Sequence, residues 1–159
     1  MPEVYLRTLD SSNEQDVLSY SEISDDPLVK EYVNYLYVVK PDFIKSLFDS
    51  LDSSDSSELF GVFDASTHKL VGVFHIMDSD KEANVSNLEC AYFIGKQYRN
   101  LGYCTAALSA IKELYANTKF VSLVLYVYND NIANSTLLSK LKFIKRRFDD
   151  KISVYLSRL

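Results

Sequence analysis

The run Gly95-Lys96-Gln97-Tyr98-Arg99-Asn100-Leu101-Gly102-Tyr103-Cys104-Thr105 joins a strand-like stretch ending near Ile94 to a helical stretch beginning at Gly102. A tight loop that enters a helix presents unpaired N–H groups and the positive end of the helix dipole, which together make a site for phosphate. Gly102 lets the backbone approach an anion closely, and Cys104 is small enough not to obstruct it. No GKS or GKT is present, so this is not a Walker loop, and it does not follow the GxGxxG dinucleotide pattern. For a lone glycine at such a place an ordinary helix start is the favoured reading.

Other groups able to do chemistry are scattered along the chain. Glu89 stands in mid-strand among apolar neighbours, where a carboxylate can take a proton directly or through water, and it is the candidate base. Cys90 and Cys104 invite a covalent route through a thiolate, but no histidine is near either in sequence, and they read as a core and a small loop residue. His68 falls in a turn and His75 within a strand, where it is either packed or a second base. The run Lys145-Arg146-Arg147 is either a solvated face or a phosphate contact. With two cysteines, no CxxC and no histidine pair, neither a disulfide framework nor a metal centre is expected, and a reducing cytoplasm fits.

These residues need a scaffold, and hydrophobic periodicity supplies one. Val4 to Leu9 alternates as a strand, and Ser12 with Gln15 resembles a capping box opening a short helix near 13–20. Asp26-Pro27 opens a helical stripe through Tyr37, which Pro41 restarts through Leu51. The stretch Asp52 to Ser57 reads as a loop. Strands follow near 58–64, 70–77 and 85–94, with a turn at Ser66-Thr67-His68-Lys69. A helix over 103–116 precedes Phe120 to Tyr128, a β-prone run suited to a strand covered on both faces, with Tyr126 and Tyr128 read as core. Asn129 to Asn131 caps a last helix through about Leu141, and strands over 143–149 and 152–157 close the chain. The order β-α-α-β-β-β-α-β-α-β-β is α/β, a single domain over 1–159 around one mixed sheet.

The net charge of −5 hides a division. Residues 1–80 hold 16 acidic and 5 basic side chains, and residues 81–159 hold 6 acidic and 12 basic, so the first half suits a cation and the second an anion. An overall acidic chain is not built for nucleic acid. No run approaches the ~18 apolar residues of a membrane span, and no secretory leader is apparent, so the expectation is a cytoplasmic protein with no membrane partner.

The motif Arg99-Asn100-Leu101-Gly102-Tyr103-Cys104 resembles the Arg/Gln-x-x-Gly-x-Gly/Ala pyrophosphate loop of the GNAT superfamily of acyl-CoA-dependent N-acyltransferases. Tyr98 to Leu108, YRNLGYCTAAL, is similar to the Y-x-G-K-G-Y-A-T-E-A-L run of the branch that includes ribosomal-protein N-terminal-amine (alanine) acetyltransferases. Arg7 with Asp16, Glu89-Cys90-Ala91-Tyr92, and Asn131 twelve residues before Phe143 also fall where that fold has them. Asn100, Ala106 and Lys142 depart from the pattern's Gly, Glu and Gly, and Leu138 stands where many relatives carry a general-acid Tyr.

The resemblance implies a GNAT-like, mostly antiparallel sheet flanked by helices and an enzyme that moves acetyl from acetyl-CoA to a primary amine, without a metal. It implies that Arg99, Asn100, Leu101, Gly102, Tyr103, Cys104 and Thr105 hold the diphosphate, and that Phe93 and Ile94 meet the pantetheine and thioester. Asn131 and Asn134 would contact the pantetheine or the leaving sulfur, and Glu89 would be the base, with Asn131 the second catalytic residue. The acceptor would be a protein N-terminal amine or a small-molecule amine, entering beside the acidic N-terminal helices. The alternative is a CoA-binding regulatory module that has lost turnover. An exposed edge strand at the C-terminus could pair in a homodimer.

Overall fold

The period-two stretches become strands and the three-to-four stretches helices, in a computed structural model that describes residues 1–52 and 56–159, with Arg147 as backbone alone. The chain runs β1 (Val4–Thr8), α1 (Glu14–Ser24), α2 (Pro27–Tyr32), α3 (Pro41–Asp52), β2 (Ser57–Asp64), β3 (Leu70–Asp78), β4 (Ser86–Ile94), α4 (Tyr103–Leu114), β5 (Phe120–Tyr128), α5 (Ile132–Lys140), β6 (Ile144–Arg147) and β7 (Ile152–Arg158). One seven-stranded sheet has the order β1-β2-β3-β4-β5-β7-β6. Its neighbours are antiparallel except β4 and β5, which are parallel and joined by α4. A parallel pair needs such a crossover, because a tight turn cannot bring a strand back in the same direction.

Strand alternation divides the core in two. Phe74, Ile76, Leu88, Cys90, Leu123 and Leu125 pack under Ala107, Leu108 and Ile111 of α4 and Leu138 of α5. Leu59, Val73 and Phe93 face the other way, against Val17, Tyr20, Ile23, Val29, Ile44 and Phe48 of the three N-terminal helices.

The segment between the first two strands carries three α-helices, where the sequence order counted two. Extended Asp26 (φ −150°) and Pro27 end α1 and begin α2, since proline has no N–H to continue the ladder. The stripe toward Tyr37 continues as a 3-10 turn, Asn34–Leu36, before Pro41 starts α3. Helix α1 is capped by Asn13, whose Oδ1 accepts from the Asp16 amide at 3.1 Å, while the Ser12 hydroxyl donates to Asp10 instead. The loop expected over Asp52 to Ser57 lies partly outside the described residues, as does the Arg147 side chain of the basic run.

β5 is not covered on both faces. Tyr126 and Tyr128 are 52% and 41% exposed, so they are not core residues. Leu123, Leu125 and Val127 fill the core under α4 and α5, whereas on the other face the N-terminal helices pack against β2 and β3 and leave the end of β5 open. Among the described residues, no helix is long and apolar enough to cross a membrane.

Candidate active site

β4 and β5 pair only from Ser86↔Phe120 to Glu89↔Val124. Beyond that point β4 stays on β3 as far as Ile94 and β5 stays on β7 as far as Tyr128, so the two strands diverge. The slot between them is bordered by Cys90–Tyr92 and Leu125–Tyr128, with Asn131 and Asn134 of the α5 start beside it. It shares Tyr32, Val33, Tyr92, Asn131 and Asn134 with an adjoining channel of about 290 Å³. One wall of that channel is Leu28, Val29, Tyr32 and Val33 from α2 and its end; the other is Tyr98 to Asn100 of the loop and Gly102 to Thr105 of the helix start. Phe93, Ile94, Asn131 and Asn134 complete it.

Gly102 begins α4 in the left-handed conformation, φ +89°, where a side chain is strained. A Cβ there would also lie 3.0 Å from Pro2 Cδ. A glycine N-cap offers no side chain to the amides of the first turn, so those of Tyr103, Cys104 and Thr105 are left for another acceptor. Asn100, in place of the family glycine, also takes a positive φ of 61°, which asparagine tolerates. The Tyr103 hydroxyl donates to Asp64 at 2.5 Å and its ring packs edge-on to Tyr98, which pins the helix start to the β2–β3 hairpin. The Leu101 side chain is 58% exposed and does not line the channel. The Arg99 guanidinium donates to Asp26 and, through Nε, to the Ile94 carbonyl at 3.2 Å.

Glu89 occupies the last paired position before the divergence, half-buried, and lines neither the slot nor the channel. Asn131 caps α5, its Oδ1 accepting from the Asn134 amide at 3.4 Å, and Asn134 Oδ1 accepts in turn from the Tyr92 hydroxyl. The structure therefore gathers Phe93, Ile94, the loop residues Arg99, Asn100 and Gly102 to Thr105, Asn131 and Asn134 around one cavity, and it leaves Glu89 outside that lining, at the last β4–β5 pair. Burial pushes the Cys104 thiol up to about 12 and Cys90 well above its ordinary value, so neither supplies a thiolate near neutral pH. Among the described residues, no group of three His, Cys, Asp or Glu could hold a metal ion.

The cavity position of Tyr92 and the partners of His75, which the sequence offered as either packed or a second base, escaped the sequence reading. The Tyr92 phenol borders both slot and channel, stacked on Phe74 at 4.6 Å; only its strand parity hinted at this. His75 is buried with both ring nitrogens engaged, Nδ1 to the Tyr35 hydroxyl and Nε2 to the Ser57 hydroxyl, each at 2.7 Å. His75 faces Ala91 across β3 and β4, which puts it on the same sheet face as Glu89 and one diagonal step away. Burial, then the neighbouring Cys90 and Glu89, pushes the Tyr35 phenol up.

The sheet is mixed and split between its two parallel strands, with an uncapped helix start at the mouth of the split. The acetyltransferase (GNAT) domain pattern matches residues 3–144, and the chain belongs to that family of acetyl-CoA-dependent N-acetyltransferases. No curated protein sequence matches it closely enough to count as a relative. Solved structures share the fold at low identity. RimL, a ribosomal L7/L12 alpha-N-protein acetyltransferase in complex with coenzyme A, superposes with a TM-score of 0.80 at 13% identity, over 99% of this chain and 94% of that one. The spermidine N-acetyltransferase of Vibrio cholerae, in complex with CoA and spermine, gives 0.77 at 14%, over 98% and 95%. A GNAT-family acetyltransferase from Bacillus anthracis gives 0.78 at 15%, over 99% and 94%.

Proposed function

We propose that residues 1–159 act as one catalytic domain that acetylates a protein N-terminal amine or a small-molecule amine by direct attack on acetyl-CoA. The observation that carries this reading is the continuity of the uncapped α4 start with the slot between β4 and β5. Main-chain amides of Gly102 to Thr105 take the diphosphate, where the helix dipole adds to them. The pantetheine arm then follows Phe93 and Ile94, and the thioester lies where β4 has lost its β5 partner.

The acceptor nitrogen attacks the thioester carbonyl carbon, the C–S bond breaks, and the amine proton leaves toward Glu89. A lysine-type amine with pKa near ~10.4 is neutral in about one molecule in a few thousand at neutral pH, and an α-amine near ~7.7–8.0 in roughly one in ten, so base help matters more for the former. Asn131 and Asn134 lie beside the departing sulfur. The acceptor mouth has the exposed rings of Tyr126 and Tyr128, with Tyr32 against Tyr128 at 5.9 Å. Glu31 and Asp130 lie at Tyr32, and aromatic faces with carboxylates attract an ammonium group. Both cysteines are free, which suits a reducing cytoplasm, and β6 is an open sheet edge on which a second copy would pair.

The second reading, a CoA-binding module without turnover, rests on Leu138, which is fully buried in the core and offers no proton donor. Release of free thiol from acetyl-CoA over a panel of peptides and small amines, run beside thermal stabilisation by CoA, separates the two. Turnover with at least one amine is the expected result; stabilisation without any thiol release would establish the module instead.

A further inference from the structure

Arg99 is the cationic residue of the loop motif, yet its side chain is already engaged. One nitrogen of the fork meets Asp26 and Nε donates to the Ile94 carbonyl at 3.2 Å. Asp26 is 5% exposed and also caps α2, its Oδ1 accepting from the Leu28 amide at 3.0 Å. The two partners are 73 residues apart: Asp26 caps the start of α2 behind one wall of the channel, and Arg99 lines the opposite wall in the loop before α4.

We infer that Arg99 is a positioning residue rather than a ligand of the cofactor's diphosphate: paired with Asp26, it sets the distance between α2 and the loop and so the width of the channel. The inference rests on the proposed binding of CoA in that channel. Taking a guanidinium from a buried carboxylate to an incoming phosphate would leave Asp26 buried and unpaired, which costs more than the new contact returns. Main-chain amides can hold the diphosphate without it. Arginine suits the brace because its planar fork serves a carboxylate and a carbonyl at once, which a lysine ammonium cannot do in the same geometry.

The two roles predict opposite behaviour at Asp26. The test measures the Kd of CoA by calorimetry at low and high salt for the wild type, Arg99→Gln, Arg99→Lys, Asp26→Asn and the Arg99→Gln/Asp26→Asn double variant. Asparagine caps helices as well as aspartate does, so Asp26→Asn removes the charge and keeps α2.

A brace predicts that Arg99→Gln and Asp26→Asn each weaken CoA by about tenfold, that the double variant is no weaker than the worse single one, and that Arg99→Lys fails to restore binding. It also predicts an unchanged salt slope, because no phosphate contact has been lost. Tighter or unchanged binding in Asp26→Asn overturns the inference, as does recovery in Arg99→Lys or a shallower salt slope in Arg99→Gln. Absence of CoA binding in the wild type would instead overturn the cofactor reading on which this rests.

Discussion

The Tyr35 hydroxyl lies 2.7 Å from Nδ1 of His75, which ties the 3-10 turn after α2 to the middle of β3. With Ser57 on the other nitrogen, the imidazole is a fully engaged buried group on the face that also carries Glu89.

Burial lowers the proton affinity of His75 below the ordinary value of about 6.5. As the pH falls through that value the unfolded chain takes up a proton that the folded chain refuses, so stability is lost on acidification, by at most about 1.4 kcal/mol per pH unit from this group. Thermal melts of the wild type and His75→Gln from pH ~7.5 down to ~5.5 check this. The variant is less stable throughout but has the flatter acid limb; parallel limbs would show that His75 does not titrate as described.

Lys142 has φ +64°, the left-handed region, directly before Phe143, and the family pattern has glycine there. Lys142→Gly relieves the backbone strain at an exposed position and raises stability by about 1 kcal/mol. The urea midpoint rises with an unchanged m-value; a fall would mean that the helix end tolerates the lysine without strain.

Gly102→Val places a β-branched side chain at φ +89° and against Pro2. The local strain costs about 1–3 kcal/mol, and the first-turn amides of α4 shift away from any bound anion. Thermal stabilisation by CoA disappears; a wild-type shift would move the diphosphate site elsewhere.

Glu89→Gln removes the proposed base and keeps the side chain's shape. Turnover falls by about 10²–10⁴-fold near neutral pH, and the loss shrinks as rising pH supplies neutral amine without help. An unaltered pH–rate profile takes Glu89 out of that role.

Most of the element order was legible in the sequence because periodicity and end signals are local. Asp26-Pro27 marked the α2 start, Phe120 to Tyr128 ended where β5 ends, and Gly102 marked the α4 start. The exposure of Tyr126 and Tyr128 was not legible, since apolar runs look alike whether or not a helix happens to cover them.

The amino-acid order by itself determined the strands, the helices and the glycine-led start of α4, each a matter of backbone geometry within a few neighbouring residues. Only the tertiary structure decided that Arg99 turns to Asp26, 73 residues away, that Tyr92 reaches Asn134, 42 away, and that His75 is held by Tyr35, 40 away. Such partners are chosen by which surfaces the folded layers press together, and a side chain's nearest neighbour in space leaves no periodic trace along the chain.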